Sequence, residues 1–324
     1  MPPDAPLIAL VIPVFNEEAV LPELFTRLAA VFDGQRTCRW RAILVDDGSR
    51  DRAVELVRAQ IARDARFELV ELSRNFGFQS ALTAGLVHAA AADAVVTMDA
   101  DLQDPPEVIP DLVAAWRGGA EVVRATRRTR AETGIRRAGF DFFHAFYGHF
   151  IDFPIAPNTG TFGLLGRDAL TVFNRLPERH RFFPGLRAWI GFPSVDVLYD
   201  RQQRAAGEPQ QSFRRLVRYA LDGLFGFSHL PLRLLTYAGI LVAVLGFAGG
   251  MFFVLWRLFG FENSQQGFTT LVTLVLFLGG VQLIGIGVLG EYLGRVYDEV
   301  KQRPNYIVKP SSRGAPAEKI SPRD

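Results

Sequence analysis

The residues best suited to chemistry are carboxylates at the ends of short apolar runs. In Met98-Asp99-Ala100-Asp101-Leu102-Gln103-Asp104, an apolar segment ends in two aspartates one residue apart. Like charges so close are costly unless a cation sits beside them. Oxygen ligands at a strand end, completed by water and a diphosphate, suit Mg²⁺ or Mn²⁺. A second acidic stretch, Val45-Asp46-Asp47-Gly48-Ser49-Arg50-Asp51, again follows an apolar run. Gly48 permits a tight turn there, and Ser49 or Asp51 can cap a following helix. A third, Pro13-Val14-Phe15-Asn16-Glu17-Glu18, opens a helix, where acids in the first turn are favoured in any case. Each stretch alone reads as a capped loop; three in succession point to one site.

The elements that must position them alternate in the βα manner. Strands are expected at Leu7–Ile12, Ala42–Val45, Phe67–Leu72 and Ala94–Met98, and helices at Glu18–Val31, Ala53–Arg63 and Gln79–Ala91. Short unbroken apolar strands between amphipathic helices indicate a parallel sheet covered on both faces. Ligands of such sheets sit at the carboxyl ends of the strands, where all three acidic stretches fall. From Val122 to Leu198 the pattern is harder to read, beyond a helical spacing from Gly139 to Phe150.

The second half changes character. Phe213, Leu216, Val217, Ala220, Leu221 and Leu224 repeat at helical spacing, opposite Arg214, Arg215 and Arg218. That pattern suits a helix lying in a membrane interface. Leu234–Trp256 and Phe268–Gly290 carry no charged residue, and each is long enough to cross about 30 Å of hydrocarbon. Arginines and lysines flank the pair (Arg214, Arg215, Arg218 and Arg233 before it; Arg295, Lys301, Arg303 and Lys309 after), whereas the loop Leu258–Gly267 has none. This bias predicts a bilayer-spanning hairpin with the first half and the tail on the cytoplasmic side of the cell membrane. The expected organisation is therefore a catalytic domain over 1–209, interfacial helices over 210–233, spans over 234–256 and 268–290 joined by an external loop at 257–267, and a cytoplasmic tail over 291–324.

Net charge is +2 over 324 residues, which gives no argument for nucleic acid. Arginine clusters at Arg124, Arg127 and Arg128, and again at Arg214, Arg215 and Arg218, suit phosphates or anionic lipid. Cys38 is the sole cysteine, so an intramolecular disulfide is impossible, consistent with a reducing compartment. The start lacks a basic stretch, and Leu7–Ile12 reads as a buried strand, not a signal peptide.

Together, Ile12-Pro13-Val14-Phe15-Asn16-Glu17, Val45-Asp46-Asp47-Gly48-Ser49 and Asp99-Ala100-Asp101 resemble glycosyltransferase family 2, whose fold is GT-A, a Rossmann-like, mostly parallel α/β sheet. Ser73-Arg74-Asn75-Phe76-Gly77, Asp101-Leu102-Gln103-Asp104-Pro105-Pro106-Glu107 and Gly290-Glu291-Tyr292-Leu293-Gly294-Arg295 look like its polyprenyl-phosphate branch, which includes dolichyl-phosphate mannose synthase and undecaprenyl-phosphate sugar transferases. The similarity covers almost the whole chain. It implies that Pro13, Phe15 and Glu17, with Val45, Asp46 and Asp47, hold the nucleoside. Asp99, Ala100, Asp101 and Gln103 would gather round the diphosphate, with Asp99, Asp101 and Gln103 as ligands of Mg²⁺ or Mn²⁺. Arg127 and Arg204 would contact phosphate. The implied reaction carries a sugar from a nucleotide-sugar, UDP-glucose as the first choice and GDP-mannose or UDP-linked amino sugars as alternatives, to undecaprenyl phosphate at the cytoplasmic membrane face. A homotetramer is compatible with the resemblance.

Two departures stand out. Gly163 occupies a place where the family usually has arginine, and Pro209-Gln210 replace a usual Ser-Lys. Two other readings compete. A processive polysaccharide synthase would carry Gln-x-x-Arg-Trp, which this chain lacks; a non-catalytic scaffold is harder to reconcile with Asp99 and Asp101.

Overall fold

The computed structural model describes residues 5–128, 159–179, 181–201, 230–259 and 267–310. They fall into two compact units. One holds the described residues through 201 together with 303–310, and the other those from 230 to 302.

The first unit is built on a seven-stranded sheet: β1 Leu7–Val14, β2 Arg39–Asp46, β3 Phe67–Glu71, β4 Ala94–Thr97, β5 Val122–Arg127, β6 Thr159–Gly166 and β7 Ser194–Tyr199. Their spatial order is β3-β2-β1-β4-β6-β5-β7. The first four strands are parallel, β6 runs antiparallel between β4 and β5, and β7 pairs parallel with β5 on the far edge. This is the mostly parallel α/β sheet of the GT-A kind. Central β1 is buried along nearly its whole length, which is why it reads as an unbroken apolar run.

Helices α1 Leu21–Gly34, α2 Ala53–Arg63, α3 Phe78–His88, α4 Ile109–Arg117, α5 Arg167–Arg175 and α6 Phe183–Trp189 complete this unit. The expected span of α2 matches. The start of α1 does not: Glu17 and Glu18 lie before the helix, because Asn16 turns left-handed at φ 55° and Pro22 opens the first turn. Helix α3 seats directly on β1. A Cβ at Gly85 would come within 2.2 Å of Val11 Cγ1, so only glycine permits that approach.

The middle region that resisted reading contains β6 and β7. The glycines of β6, Thr159-Gly160-Thr161-Phe162-Gly163, give a loop-like local signal, and pairing on both sides overrides it. The expected helices over 139–150 and 213–224 lie outside the described residues, as does the chain beyond 310. Residues 303–310, within the expected tail, return to the end of β3 through an isolated bridge. Ser73 N–H donates to the Ile307 carbonyl (2.8 Å), Lys309 N–H donates to that of Glu71 (2.8 Å), and Leu72 bridges Val308 antiparallel. The otherwise open edge of β3 is thereby partly covered.

The second unit consists of α7 Leu230–Leu258 and α8 Phe268–Val300. Each contains one of the expected spans. Leu235 packs within 3.4 Å of the place a Cβ would take on Gly285, so the two helices touch there. Many large apolar side chains on both are exposed, including Tyr237, Leu245 and Phe247 on α7 and Leu283 and Ile284 on α8. Among the described residues, Phe277–Val300 is the segment long and apolar enough to cross a membrane, and Leu234–Gly249 is a shorter apolar stretch.

Candidate active site

The site lies at the carboxyl ends of β1, β2 and β4, with β2 and β4 flanking β1. Three loops there are laced together. Asn16 N–H donates to Ser49 Oγ (3.0 Å), while Asn16 Oδ1 accepts from Arg50 N–H (2.8 Å). Glu18 N–H donates to Asp51 (2.9 Å), and the Glu18 carboxylate accepts from Arg52 N–H (3.0 Å). Asp51 also accepts from Ala53 N–H (3.1 Å) at the start of α2, although the N-cap position itself falls to Arg52 and not to the expected Ser49 or Asp51. Ser49 instead ties back to the β1 loop.

Asp46 and Asp47 are both buried. The Asp46 carboxylate accepts from Gly48 N–H (3.2 Å) and Ser49 N–H (3.1 Å) and so shapes its own turn. Asp47 accepts from Phe76 N–H (2.7 Å) and Gly77 N–H (2.9 Å), latching the loop after β3. Burial raises the Asp47 pKa above the ordinary carboxylate value, opposed by those two amide donors. Pro13 and Val45 are register partners buried in the sheet. Their side chains do not face solvent, and Val45 packs against Gly85 of α3. Phe15 and Glu17 are half-buried on the loop above.

On the other side of β1, the loop after β4 carries Asp99, Ala100, Asp101, Gln103 and Asp104. Asp101 accepts from Gln103 N–H (3.1 Å), and Leu102 between them is left-handed at φ 59°, which a leucine adopts only under constraint. Asp99 accepts from Thr161 Oγ1 (3.2 Å) on β6. Its pKa is pushed up to about 7, by burial first, then by the charges of Asp104 and Asp101. Asp104 is almost wholly buried. It accepts a hydrogen bond from Tyr199 Oη and lies 3.7 Å from Arg127 Nη2. Burial raises Asp104 too, against the opposing effects of Tyr199 and Arg127. Arg27 of α1 pairs through Nε (2.8 Å) and Nη2 (2.6 Å) with Glu107, fastening the end of this loop.

The fold thus brings Asp99, Ala100, Asp101, Gln103 and Arg127 into one neighbourhood, and Pro13, Phe15, Glu17, Val45, Asp46 and Asp47 into an adjoining one. Arg204 and Gln210 lie outside the described residues. Thr161 and Tyr199 escaped the sequence reading. Tyr199 closes an exposed edge strand with weak alternation, and its proximity to Asp104 depends on a partner 95 residues away.

A divalent cation fits the donor chemistry here in a restricted way. Among the described residues, no three Asp, Glu, His or Cys side chains converge as ligands, so Asp99 and Asp101 would supply two oxygens and the diphosphate and water the rest. After burial, the charges of Asp104 and Asp101 raise Asp99 further, and a cation relieves such crowding of like charge. At Gly163, a Cβ would stand 2.5 Å from the Val123 carbonyl oxygen and 3.0 Å from Arg187 Nη1. A larger residue would displace its neighbours, and a buried guanidinium from α6 already lies beside that position, donating to the Gly160 carbonyl (3.1 Å).

The sequence profile described as Glycosyl transferase family 2 matches residues 9–173, and that described as GtrB C-terminal hairpin matches 230–296. The SfII prophage-derived bactoprenol glucosyl transferase of Shigella flexneri is 41% identical over 310 residues, covering 95% of this chain and 99% of that protein. A prophage bactoprenol glucosyl transferase homolog of Escherichia coli K12 is 39% identical, covering 93% and 98%. An uncharacterised glycosyltransferase of Synechocystis is 42% identical, covering 93% and 94%. The chain belongs to glycosyltransferase family 2 and is a glycosyltransferase.

Proposed function

We propose that this family 2 glycosyltransferase moves a hexose, glucose from UDP-glucose as the first choice, onto undecaprenyl phosphate at the cytoplasmic face of the cell membrane. The observation that carries this reading is the crowding of Asp99, Asp101 and Asp104 beside Arg127 at the strand ends, with Asp99 raised to about 7. A nucleoside diphosphate with its cation is the ligand such a charge pattern accommodates. Full-length similarity to proteins named bactoprenol glucosyl transferases supports the lipid acceptor.

In the proposed reaction, a phosphate oxygen of the acceptor attacks C1 of the sugar in line, the bond from C1 to the diphosphate breaks, and the nucleoside diphosphate leaves with inversion. Asp99 and Asp101, with Gln103 beside them, would hold Mg²⁺ or Mn²⁺, which when bound supplies positive charge for the leaving diphosphate. Thr161 fixes the orientation of Asp99. Arg127 presents a guanidinium fork for phosphate oxygens, and Arg204 is proposed as a second. An alkyl phosphate has a second pKa near ~6, so the acceptor is largely dianionic at neutral pH and requires positioning more than deprotonation. The nucleoside would rest against Phe15, beside the main chain at Pro13 and Val45, with Asp47 at its edge.

The acceptor's long hydrocarbon chain stays in the bilayer, because each CH₂ exposed to water costs about 0.8 kcal/mol. α7 and α8 are proposed as the spans that hold the enzyme there, with their basic flanks inside. Their exposed apolar side chains support this placement.

Detergent-purified protein with undecaprenyl phosphate and Mg²⁺ or Mn²⁺, offered radiolabelled UDP-glucose, GDP-mannose or UDP-linked amino sugars in turn, should move label into the organic phase from one donor. Asp101→Ala should lose this transfer while remaining membrane-inserted. Absence of transfer from every donor, or normal turnover by the variant, would overturn the reading.

A further inference from the structure

We infer that Tyr199 and Asp104 are positioning residues for Arg127, forming a bracket that fixes its guanidinium for a phosphate oxygen at the site. The role in catalysis rests on the function proposed above; the bracket itself rests on geometry.

Strands β5 and β7 pair in parallel, and Arg127 opposite Tyr199 is their last rung. Paired positions on neighbouring strands share a face of the sheet, so the two side chains emerge together at the carboxyl end. The Tyr199 ring is buried and packs edge-on against Phe162, with centroids 5.5 Å apart and planes at 89°. This contact aims the hydroxyl at the loop after β4. A phenol has one proton and accepting lone pairs. Here the proton goes to Asp104 Oδ1, and the oxygen accepts from Arg127 Nε at 3.1 Å. The chain of donors therefore runs one way, from arginine through tyrosine to carboxylate.

Two further restraints act on the same guanidinium. Asp104 Oδ1 lies 3.7 Å from Arg127 Nη2. On the opposite strand, a Cβ at Gly160 would stand 3.2 Å from Nη2, so the guanidinium lies close over a residue without a side chain. An unrestrained arginine loses rotamer entropy on meeting a phosphate; a bracketed one has already lost part of it. Asp104 is 1% exposed, and such a carboxylate is tolerated only with partners. Because Asp104 sits on the loop of Asp99 and Asp101, the bracket also fixes the distance between that loop and Arg127.

Tyr199→Phe retains the packing on Phe162 and removes the bridging oxygen. It should lower kcat/KM about 10- to 100-fold, the usual effect of losing a group that orients a functional side chain. In an Arg127→Gln background, the same change should cost less than about threefold, because residues acting through one another are not additive. Separate KM values for sugar nucleotide and polyprenyl phosphate distinguish the two phosphates: the rise falls on whichever Arg127 serves. An independent readout follows phenylglyoxal modification by mass spectrometry. Arg127 should react faster in Tyr199→Phe and in Asp104→Asn than in the wild type, relative to Arg124 in the same chains, with melting temperatures little changed. Equal losses in both backgrounds, or unchanged Arg127 labelling, would overturn the inference. If labelling changes but the wild-type chain transfers no sugar, the bracket stands and the proposed function falls.

Discussion

Two acidic pairs flank the first strand, and they are built for opposite ends. Asp46 and Asp47, after β2, direct their carboxylates at backbone amides: Gly48 and Ser49 for one, Phe76 and Gly77 for the other. Asp99 and Asp101, after β4, meet a side-chain hydroxyl and their own loop: Thr161 Oγ1 donates to Asp99, and Gln103 N–H donates to Asp101. Near them stands a third carboxylate, Asp104. The first pair uses its charge to shape loops. The second concentrates charge that a bound cation and diphosphate would offset. Identical residue types at neighbouring strand ends thus differ in the groups set against them.

The largest expected effect separates the pairs by activity. Asp101→Asn should lower transfer by about three orders of magnitude with little change in melting temperature, since it removes charge where the leaving group develops it. Asp47→Asn should act mainly on stability and nucleotide affinity, because it weakens one of two amide bonds of the latch. Steady-state kinetics beside thermal melts on both variants provide the check. The reverse ranking would break the comparison.

A smaller effect tests whether the first pair is a scaffold. Gly48 has φ +76°, and a Cβ there would lie 2.7 Å from Asn75 N and 2.8 Å from Arg74 C. Gly48→Ala combines a left-handed backbone with overpacking against another main chain, at a cost of about 2–4 kcal/mol. Denaturant unfolding should show this loss, whereas a value near zero would mean that the latch yields easily.

A further effect depends on pH. Burial lifts Asp99 from an ordinary value of 3.8 to about 7. Between those values the folded chain binds a proton that the unfolded chain has released, so this contribution to stability falls as pH rises and is gone above about 7. Without divalent ions, Asp99→Asn should therefore raise the melting temperature most at about pH 8, less at about pH 5, and hardly at all at about pH 3. Equal shifts at all these pH values would show that Asp99 carries no such burden.

Much of the fold was legible because central parallel strands must be apolar on both faces. β1, β2, β3 and β4 fall within two or three residues of their expected ends, and α2 coincides with its expected span. The start of α1 was misread because acids before a helix resemble acids in its first turn, and the left-handed turn at Asn16 leaves no strong local mark. β6 was missed because its glycines favour a loop until two neighbours pair with it. The return of residues 303–310 to β3 has no local signal, because backbone pairing across more than two hundred residues is indifferent to most side chains.

By itself, the sequence determined which residue types stand at the strand ends, the alternation that builds the parallel half, and the two long apolar helices. Periodicity and composition are local, and burial imprints them directly on the chain. Only the tertiary structure decided how each carboxylate is used. It gave the amides of the β3 loop to Asp47, Thr161 to Asp99, and Tyr199 and Arg127 to Asp104. Whether a buried charge becomes scaffold or site depends on partners brought from distant strands, and a one-dimensional pattern carries no record of those distances.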